Sequence, residues 1–546
     1  MMDDLFSHHL EEKYITNSTV EHRKKYAQFF TPYRVAQFMA AWVMGGSREI
    51  KTILDPSVGL GVFIRAIREY LGSSLATSQV ISQVNIKGYD IDPQILAIAQ
   101  QQLQQLDHPE NIELLGQDYL FHDWESSYDA IICNPPYFKF QDFKTKNRAL
   151  QEFSDRLSIN LTGFTNIYAL FLLKSLHQLQ DHGRCAYIIP SEFLNSDYGK
   201  TVKTYLLQYQ SLRYVIIFNS QENLFDRALT TSCILLFCHD HQAPTIEFIN
   251  ITSLQDLNHL GQKLNLYPHQ PPNNRILYNS LNPNIKWRGY YQETHTHKYQ
   301  NLIDFSAYAK VSRGIATGAN DYFLFTREKA QALHISEQHL LPVISKANQV
   351  TNSFFRGEDF QKLARENKPI YLFNANAVDN QDLQVKKYIL WGESLGIHQK
   401  YLTSHRNPWY AIEQRLPSPI WVSVFSRGGI RFIRNETAVR NLTTFHCIYL
   451  KPLAMDKIDL LFAYLLTDVA RNIFADHRRE YGGGLEKFEP NDLNHAQVID
   501  LEKISSLAVS KILYYYHQYK NSLLVNQENT NLLSKINDLF LEIIKY

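Results

Sequence analysis

Tyr128-Asp129-Ala130-Ile131-Ile132-Cys133-Asn134-Pro135-Pro136-Tyr137 is the stretch on which the reading of this chain turns. Residues 128–133 form an apolar run with the length of a buried strand. Two prolines follow, and a strand cannot carry its hydrogen-bond ladder through them. The turn at Asn134 therefore sits at a strand's carboxyl end, where open α/β sheets place their ligands. It offers a side-chain amide, a backbone carbonyl fixed by proline and an aromatic ring. Together these can hold a planar exocyclic amino group. In isolation the same tetrad would be an ordinary strand-ending turn.

Upstream, Ile53-Leu54-Asp55-Pro56-Ser57-Val58-Gly59-Leu60-Gly61-Val62-Phe63 reads as a short strand, an acidic end and a Gly-spaced turn opening a helix. Gly59 and Gly61 are expected to let the backbone approach a ligand closely, with helix amides facing it. No Gly-Lys-Ser/Thr follows, so this is not a phosphate loop. Asp55 points to a cationic or hydroxyl-rich ligand. A second run ends in Gly88-Tyr89-Asp90-Ile91-Asp92-Pro93. An acidic residue there is where nucleoside-binding α/β folds hold a ribose. A third run, residues 112–118, ends at Asp118. Three successive strand ends thus carry Asp, and a fourth carries the Asn-Pro-Pro-Tyr tetrad. Before them lies Gln28-Phe29-Phe30-Thr31-Pro32, in which Thr31 is expected as an N-cap and Pro32 as the first helical residue. The helix that follows places Val35, Phe38, Met39, Trp42 and Val43 on one face. The Phe29/Phe30 pair before it is expected to be exposed.

This ordered set, with residues 222–237, resembles the N6-adenine DNA methyltransferases of restriction–modification systems in their gamma, TaqI-like arrangement. The resemblance covers roughly the first 240 residues well and the second half in fragments. It implies S-adenosyl-L-methionine as cofactor and a catalytic turn of Asn134, Pro135, Pro136 and Tyr137. The Asn134 side-chain oxygen and Pro135 carbonyl would each accept one N6 hydrogen, favouring the developing charge. The target amino group is buried in duplex DNA, so the nucleotide must be flipped out. Tyr137 would stack on the base, and Phe225 would form a second aromatic wall. The resemblance also assigns the cofactor site. Asp55, in a turn with Pro56, Gly59 and Gly61, lies at the methionine end. Asp90 binds the ribose, Ile91 packs on the adenine, Asp118 accepts from its amino group, and Phe30 and Thr31 close the pocket. One departure is that Val58 and Leu60 are bulkier than is usual for the family. Other substrates remain open for the same turn: protein glutamine, RNA adenine, or a modification subunit that needs a separate specificity chain.

The chain has 546 residues, which suggests two or three domains. Its 55 basic and 54 acidic residues exclude a globally basic nucleic-acid protein, so DNA binding requires locally concentrated positive charge. Five cysteines without a Cys-x-x-Cys pair imply no metal site and reduced thiols. No run of about 20 apolar residues implies no membrane span, and Asp3, Asp4, Glu11 and Glu12 exclude a signal peptide. A cytoplasmic, nucleoid-associated prokaryotic monomer is expected, acting on double-stranded DNA. A cognate restriction endonuclease would be a genetic partner rather than a stable complex. The roughly 27 residues before Gln28 are too few for a fused nuclease domain.

The fold class expected is α/β: a doubly wound class I S-adenosylmethionine-dependent methyltransferase sheet, with a mixed α+β C-terminal target-recognition domain. Residues 183–190 read as a fifth strand, and 212–218 and 232–237 as a hairpin ending in an antiparallel last strand. The polar, Pro/Asn-rich stretch between 240 and 300 marks the boundary. This gives a catalytic domain over 1–240 and a DNA target-recognition domain with a helical tail over 241–546. Within the second, residues 322–326, 369–373, 419–424, 430–433 and 446–450 read as strands. The last 45 residues read as helical, with Ile504, Leu507, Ile512, Leu532, Ile536 and Leu539 facing the core. Residues 311–323 and 481–490 resemble the borders of the family's specificity region. Arg313, Arg427, Arg431 and Arg434 are the candidate DNA-binding residues, the last three interleaved with Phe425 and Phe432.

Overall fold

β1 (Thr52–Asp55) and β4 (Tyr128–Cys133) are parallel neighbours, with Ile53 opposite Ala130 and Leu54 opposite Ile131. The two motifs that end them are thereby brought side by side at one edge of a sheet. In the computed structural model, the residues described are 7–46, 49–73, 83–137, 145–159, 161, 166–196, 198–218, 232–240, 245–264, 266–268, 275–292, 296–376, 382–481, 485–524 and 527–545. The chain divides into two compact units, the first comprising Met1–Glu293 and Glu480–Gly484 and the second Thr294–Arg479 and Leu485–Tyr546.

In the first unit α1 (His9–Asn17), α2 (Val20–Lys25) and α3 (Tyr33–Met44) precede β1, and α4 (Val62–Ser73) follows it. Then come β2 (Asn85–Tyr89), α5 (Pro93–Leu103), β3 (Ile112–Leu115), β4, α6 (Lys146–Leu157) and α7 (Ile167–His177). The unit continues with β5 (Leu179–Pro190), α8 (Gly199–Tyr209), β6 (Leu212–Phe218), β7 (Ser232–Cys238), β8 (Thr245–Ile251), α9 (Asp256–Leu264) and β9 (Arg275–Leu277). Among the described residues these strands form one sheet in the order β3-β2-β1-β4-β5-β7-β6-β8-β9. Successive β4 side chains enter different cores: Ile131 and Cys133 pack with Phe171 and Leu173, and Ala130 and Ile132 with Met39 and Trp42. That alternation is the period of two of a strand covered on both faces. On α3, Val35, Phe38, Met39, Trp42 and Val43 are all buried, as their spacing predicts. Each fully buried aliphatic side chain contributes about 1.5–3 kcal/mol, which outweighs the few tenths that β-branching costs a helix.

Three expectations are corrected here. The antiparallel strand is not at the sheet's end: β7 lies between β5 and β6, pairing Ile234 with Ile188 on one side and Ile216 on the other. The sheet does not stop at residue 240. β8 runs parallel to β6, with Ile249 opposite Ile216, and β9 pairs with β8. The polar sequence around 240–275 hides this, because β8 mixes the core residues Ile246, Phe248 and Ile251 with a buried Glu247 and an exposed Asn250. Finally, Pro32 and not Thr31 is the N-cap of α3, and it makes no side-chain cap bond. The Thr31 hydroxyl is occupied by Asn134 instead.

The second unit is built on a five-stranded sheet. Its strands are β10 (Ala309–Arg313), β11 (Phe354–Phe355), β12 (Ile420–Ser423), β14 (Phe432–Asn435) and β15 (Phe445–Leu450), ordered β10-β15-β12-β14-β11. A separate short strand, β13 (Phe425–Ser426), pairs with β16 (Leu485–Lys487). Residues 320–323 are helical, so only Leu324–Phe325 of the expected 322–326 strand is extended. The helical tail is α10 (Ser506–Leu524) and α11 (Thr530–Lys545). Ile512, Leu532 and Ile536 are buried in it, as is Ile504 just before it, but Leu507 is 70% exposed. Leu507 lies on the outer face of the first turn of α10, whose Ala508 and Val509 already pack against the core.

Candidate active site

A cavity of about 490 Å3 opens at the carboxyl ends of β1, β2 and β4, within the 300–1,000 Å3 typical of ligand sites. Phe30, Thr31, Pro56, Gly59, Asp90, Ile91, Asp118, Asn134, Pro135 and Pro136 all line it. The strand register brings them together across more than a hundred residues of sequence. Asn134 is the best-defined of them. Its Nδ2 donates to the Phe29 carbonyl at 2.8 Å and to the Thr31 hydroxyl at 3.0 Å. Both amide hydrogens are thereby used on oxygen acceptors, which fixes the orientation of the amide. The other end, Oδ1, is buried and has no hydrogen-bond partner among the described residues. A buried acceptor left unpaired is costly, and here it belongs to a residue of the cavity wall.

Two carboxyls, Asp90 and Asp118, line the same space, and a third, Asp55, lies behind it. Asp55 is fully buried at the end of β1 and does not line the cavity. Its Oδ1 accepts the Ser57 amide at 3.1 Å, while its Oδ2 is buried without a partner. Burial above all, with the nearby Asp90 charge adding to it, pushes its pKa up to about 8 against the pull of the Ser57 amide. Asp90 follows β2. Its two oxygens accept the Gly59 and Asp92 amides, each at 2.9 Å. Burial pushes it up to about 6, opposed by those amides. Asp118 caps a short 3₁₀ turn through the Leu120 amide at 3.0 Å, and burial raises its pKa too. Burial is the leading cause of all three shifts, because it penalises the charged form of each carboxyl. Asn134 Oδ1, an orphaned acceptor in the cavity wall, marks a place for a hydrogen-bond donor, whereas the orphaned Asp55 Oδ2 belongs to a residue outside the cavity lining.

The first loop is accommodated in ways its motif does not reveal. Bulky Val58 fits because Gly88 faces it: a Cβ on Gly88 would lie 2.2 Å from Val58 Cγ2. Leu60 packs with Tyr14 of α1, Ile95 and Phe30. Gly59 has a left-handed φ of +54° and lines the cavity. Gly61, with φ +77°, faces the Leu103 side chain of α5 and serves helix packing rather than ligand approach.

Residues upstream of Phe29 form a wall for which the sequence offers no local signal. Tyr26, Ala27 and Gln28 line the cavity, as does Glu11 of α1. Gln28 Nε2 donates to Asp92 Oδ2 at 2.6 Å, and His22 Nε2 lies 2.7 Å from the same oxygen. Asp92 Oδ1 meanwhile caps α5 at the Gln94 amide. Glu11 forms a fully buried ion pair with Arg65 of α4. Phe29 and Phe30 are half-buried rather than exposed. Phe29 stacks on Tyr137 with centroids 5.3 Å apart, and Phe30 meets Tyr14 edge-on.

Tyr137 is not among the residues lining the cavity. Its ring is engaged by Phe29, and its hydroxyl donates to the Ile188 carbonyl at 3.0 Å. Phe225 lies outside the described residues. In the second unit the candidate arginines separate. Arg313 pairs with Glu413 at 2.5 Å. Arg431 Nη2 donates to the Val350 carbonyl at 3.0 Å, and Arg434 Nη1 to that of Pro419 at 3.0 Å. These three hold their own chain. Among the described residues no helix is long and apolar enough to cross a membrane.

Residues 81–225 match the Eco57I restriction-modification methylase family, and residues 290–533 match the C-terminal domain of type II methyltransferase M.Eco57I. Type II methyltransferase M.AccI of Acinetobacter calcoaceticus is 47% identical over 540 residues, covering 98% of this chain and 97% of its own. Type II methyltransferase M.XamI of Xanthomonas campestris pv. amaranthicola is 22% identical, over 87% of this chain and 85% of its own. The fold resembles that of the type IIL restriction-modification enzyme MmeI in complex with DNA (TM-score 0.56, 13% identity, 94% of this chain and 70% of that one). It also resembles a nuclease-deletion mutant of the type ISP enzyme LlaGI (TM-score 0.52, 14% identity, 90% and 54%). With 47% identity to M.AccI along nearly its whole length, the chain belongs to the type II DNA methyltransferases of restriction–modification systems.

Proposed function

We propose that the chain transfers a methyl group from S-adenosyl-L-methionine to N6 of an adenine flipped out of duplex DNA, as the modification enzyme of a type II system. One observation carries the reading: Asn134 spends both amide hydrogens on residues 29 and 31 and leaves Oδ1 a bare buried acceptor in the cavity wall. An exocyclic amino group is the complementary donor. Asn134 Oδ1 and the Pro135 carbonyl each accept one of its hydrogens. They bind it more tightly as the nitrogen loses its conjugation and gains positive charge, which is selective stabilisation of the transition state. Asp90 takes the cofactor's ribose hydroxyls, Ile91, 52% exposed, offers an apolar face for its adenine, and Asp118 accepts from its amino group. Asp55, buried next to the Pro56–Gly59 turn that lines the cavity, places its carboxyl behind the positive methionine end. The cofactor, when bound, supplies an electrophilic methyl group. The chain holds and aligns the two reactants, and alignment alone can remove roughly 7–11 kcal/mol of barrier.

The test is product analysis. Purified chain is incubated with unmethylated plasmid and tritiated cofactor, and the DNA is digested to nucleosides. Label in N6-methyladenine is the expected result. Label in N4-methylcytosine would overturn the choice of base, and label only when a second chain is added would favour a subunit dependent on a separate specificity protein.

A further inference from the structure

The loop between β12 and β14 is built unlike its neighbours. Its base is closed in both directions: the Ser423 amide donates to the Arg431 carbonyl at 2.9 Å, and the Arg431 amide to Ser423 Oγ at 3.0 Å. Val424 and Ile430 are buried on either side. Between them stand Phe425, 50% exposed, Ser426, the exposed Arg427 and Gly428, and Gly429. The loop is also braced laterally, because Phe425 and Ser426 pair with Lys487 and Glu486 of β16. Lys487 Nζ lies 5.5 Å over the Phe425 ring. Acidic groups on that side are already matched, Glu486 by Arg478 at 3.0 Å and Glu489 by Lys487 at 2.5 Å. The unmatched charge is that of Arg427, which has no hydrogen-bond, ion-pair or ring partner among the described residues.

Gly428 sharpens the point. A Cβ there would meet nothing within 4 Å, and its φ is not in the left-handed region, so neither packing nor turn geometry of this chain calls for glycine. Glycine in a braced loop costs entropy. A surface that must come close to the exposed backbone supplies the missing reason. For a DNA methyltransferase that surface is the duplex.

We infer that residues 425–429 enter a groove of the target duplex and that Arg427 donates its guanidinium fork to a base edge there, so that it specifies one position of the recognition sequence. The inference rests on the chain's membership of the DNA methyltransferases and is independent of which base is methylated. Arg427 differs from Arg313, Arg431 and Arg434 in having its whole fork free, which bidentate reading of a guanine edge requires.

Host cells expressing wild type, Arg427→Ala or Arg427→Lys provide genomic DNA whose modified motif is read by methylation-sensitive long-read sequencing. The expected result is that Arg427→Ala relaxes one motif position and leaves the others intact. In vitro, KM for DNA should rise roughly 5- to 150-fold, the range for one bidentate contact, with cofactor affinity unchanged. Arg427→Lys keeps the charge but not the fork and should relax the same position. It also reads that position if the alanine variant fails to accumulate. An unchanged motif and KM would overturn the inference. A loss equal at all sequences, with the salt slope reduced by about one, would also overturn it, because that marks a phosphate contact. If wild type leaves host and plasmid DNA unmodified, the methyltransferase reading fails and takes this inference with it. A retained motif in the variants faults the inference alone.

Discussion

Replacing Asn134 by alanine should lower the rate of methyl transfer by a hundredfold to a thousandfold at saturating DNA and cofactor. Oδ1 is positioned before any ligand arrives, because Nδ2 is tied at 2.8 Å and 3.0 Å. Loss of one preorganised acceptor facing developing charge costs about 2.7–4 kcal/mol in the transition state. The same substitution also removes two hydrogen bonds from the fold, each worth about 1 kcal/mol net. That is small beside the stability of a domain, roughly 5–15 kcal/mol, so the variant stays folded. It remains able to bind cofactor, since the carboxyls of Asp55, Asp90 and Asp118 are untouched. Tritiated-methyl transfer and a calorimetric cofactor titration on one preparation separate the two effects. A rate within about threefold of wild type, with DNA binding intact, would refute the role given to Oδ1.

Asp55 makes the site sensitive to pH. Its folded pKa of about 8 lies above the ordinary aspartate value of 3.8, so its contribution to the ligand-free fold is full below pH 3.8 and is lost as pH rises through about 8. Wild type should therefore lose more melting temperature than Asp55→Asn between about pH 5 and 8; parallel curves would contradict this. Cofactor binding near pH 7 should release up to about one proton, seen as a dependence of calorimetric heat on buffer ionisation. Asp90→Ala should weaken cofactor affinity by roughly ten- to a hundredfold, from the 1.5–3 kcal/mol of a hydrogen bond to a charged acceptor, and an unchanged dissociation constant would move the ribose elsewhere. Arg65→Met strands the buried Glu11 carboxylate and should cost about 3–5 kcal/mol, measured by denaturant unfolding; a wild-type midpoint would count against the pair. A fragment ending at residue 292 should unfold cooperatively and bind cofactor, whereas one ending at 240 loses β8 and the Leu257, Leu260 and Leu264 contacts of α9 with the core. Equal stability of the two fragments would show that β8 is dispensable.

What the sequence reveals here depends on how local each cause is. The runs at 53–55 and 128–133 and the face of α3 follow from hydrophobic period, which neighbouring residues report. The Asp and Asn strand ends follow from the rule that α/β sheets bind ligands at carboxyl edges. Side-chain partners obey no such period. Thr31 looks like an N-cap until Asn134, 103 residues later, takes its hydroxyl. Val58 looks too large until Gly88 makes room. The wall formed by residues 25–31 hangs on Asp92, and Glu11 on Arg65, at separations of 54 to 70 residues. Arg313, Arg431 and Arg434 resemble Arg427 in the sequence, and only the acceptors that fold beside them tell them apart. Leu507 reads as part of a helical stripe, but the face of that turn that packs on the core carries Ala508 and Val509 instead.

The bond between Asn134 and residues 29 and 31 has a thermodynamic consequence. Thr31 and Phe29 border the space given to the cofactor, and Asn134 presents the acceptor given to the base. A ligand that holds the first wall in place also strengthens the two tethers that aim this acceptor. Cofactor and target base should therefore bind with positive coupling, and reciprocity requires the factor to be the same in both directions. Whatever tightening DNA gains from bound cofactor, the cofactor gains from bound DNA. A shared side chain of this kind lets the enzyme hold both reactants together more readily than either alone.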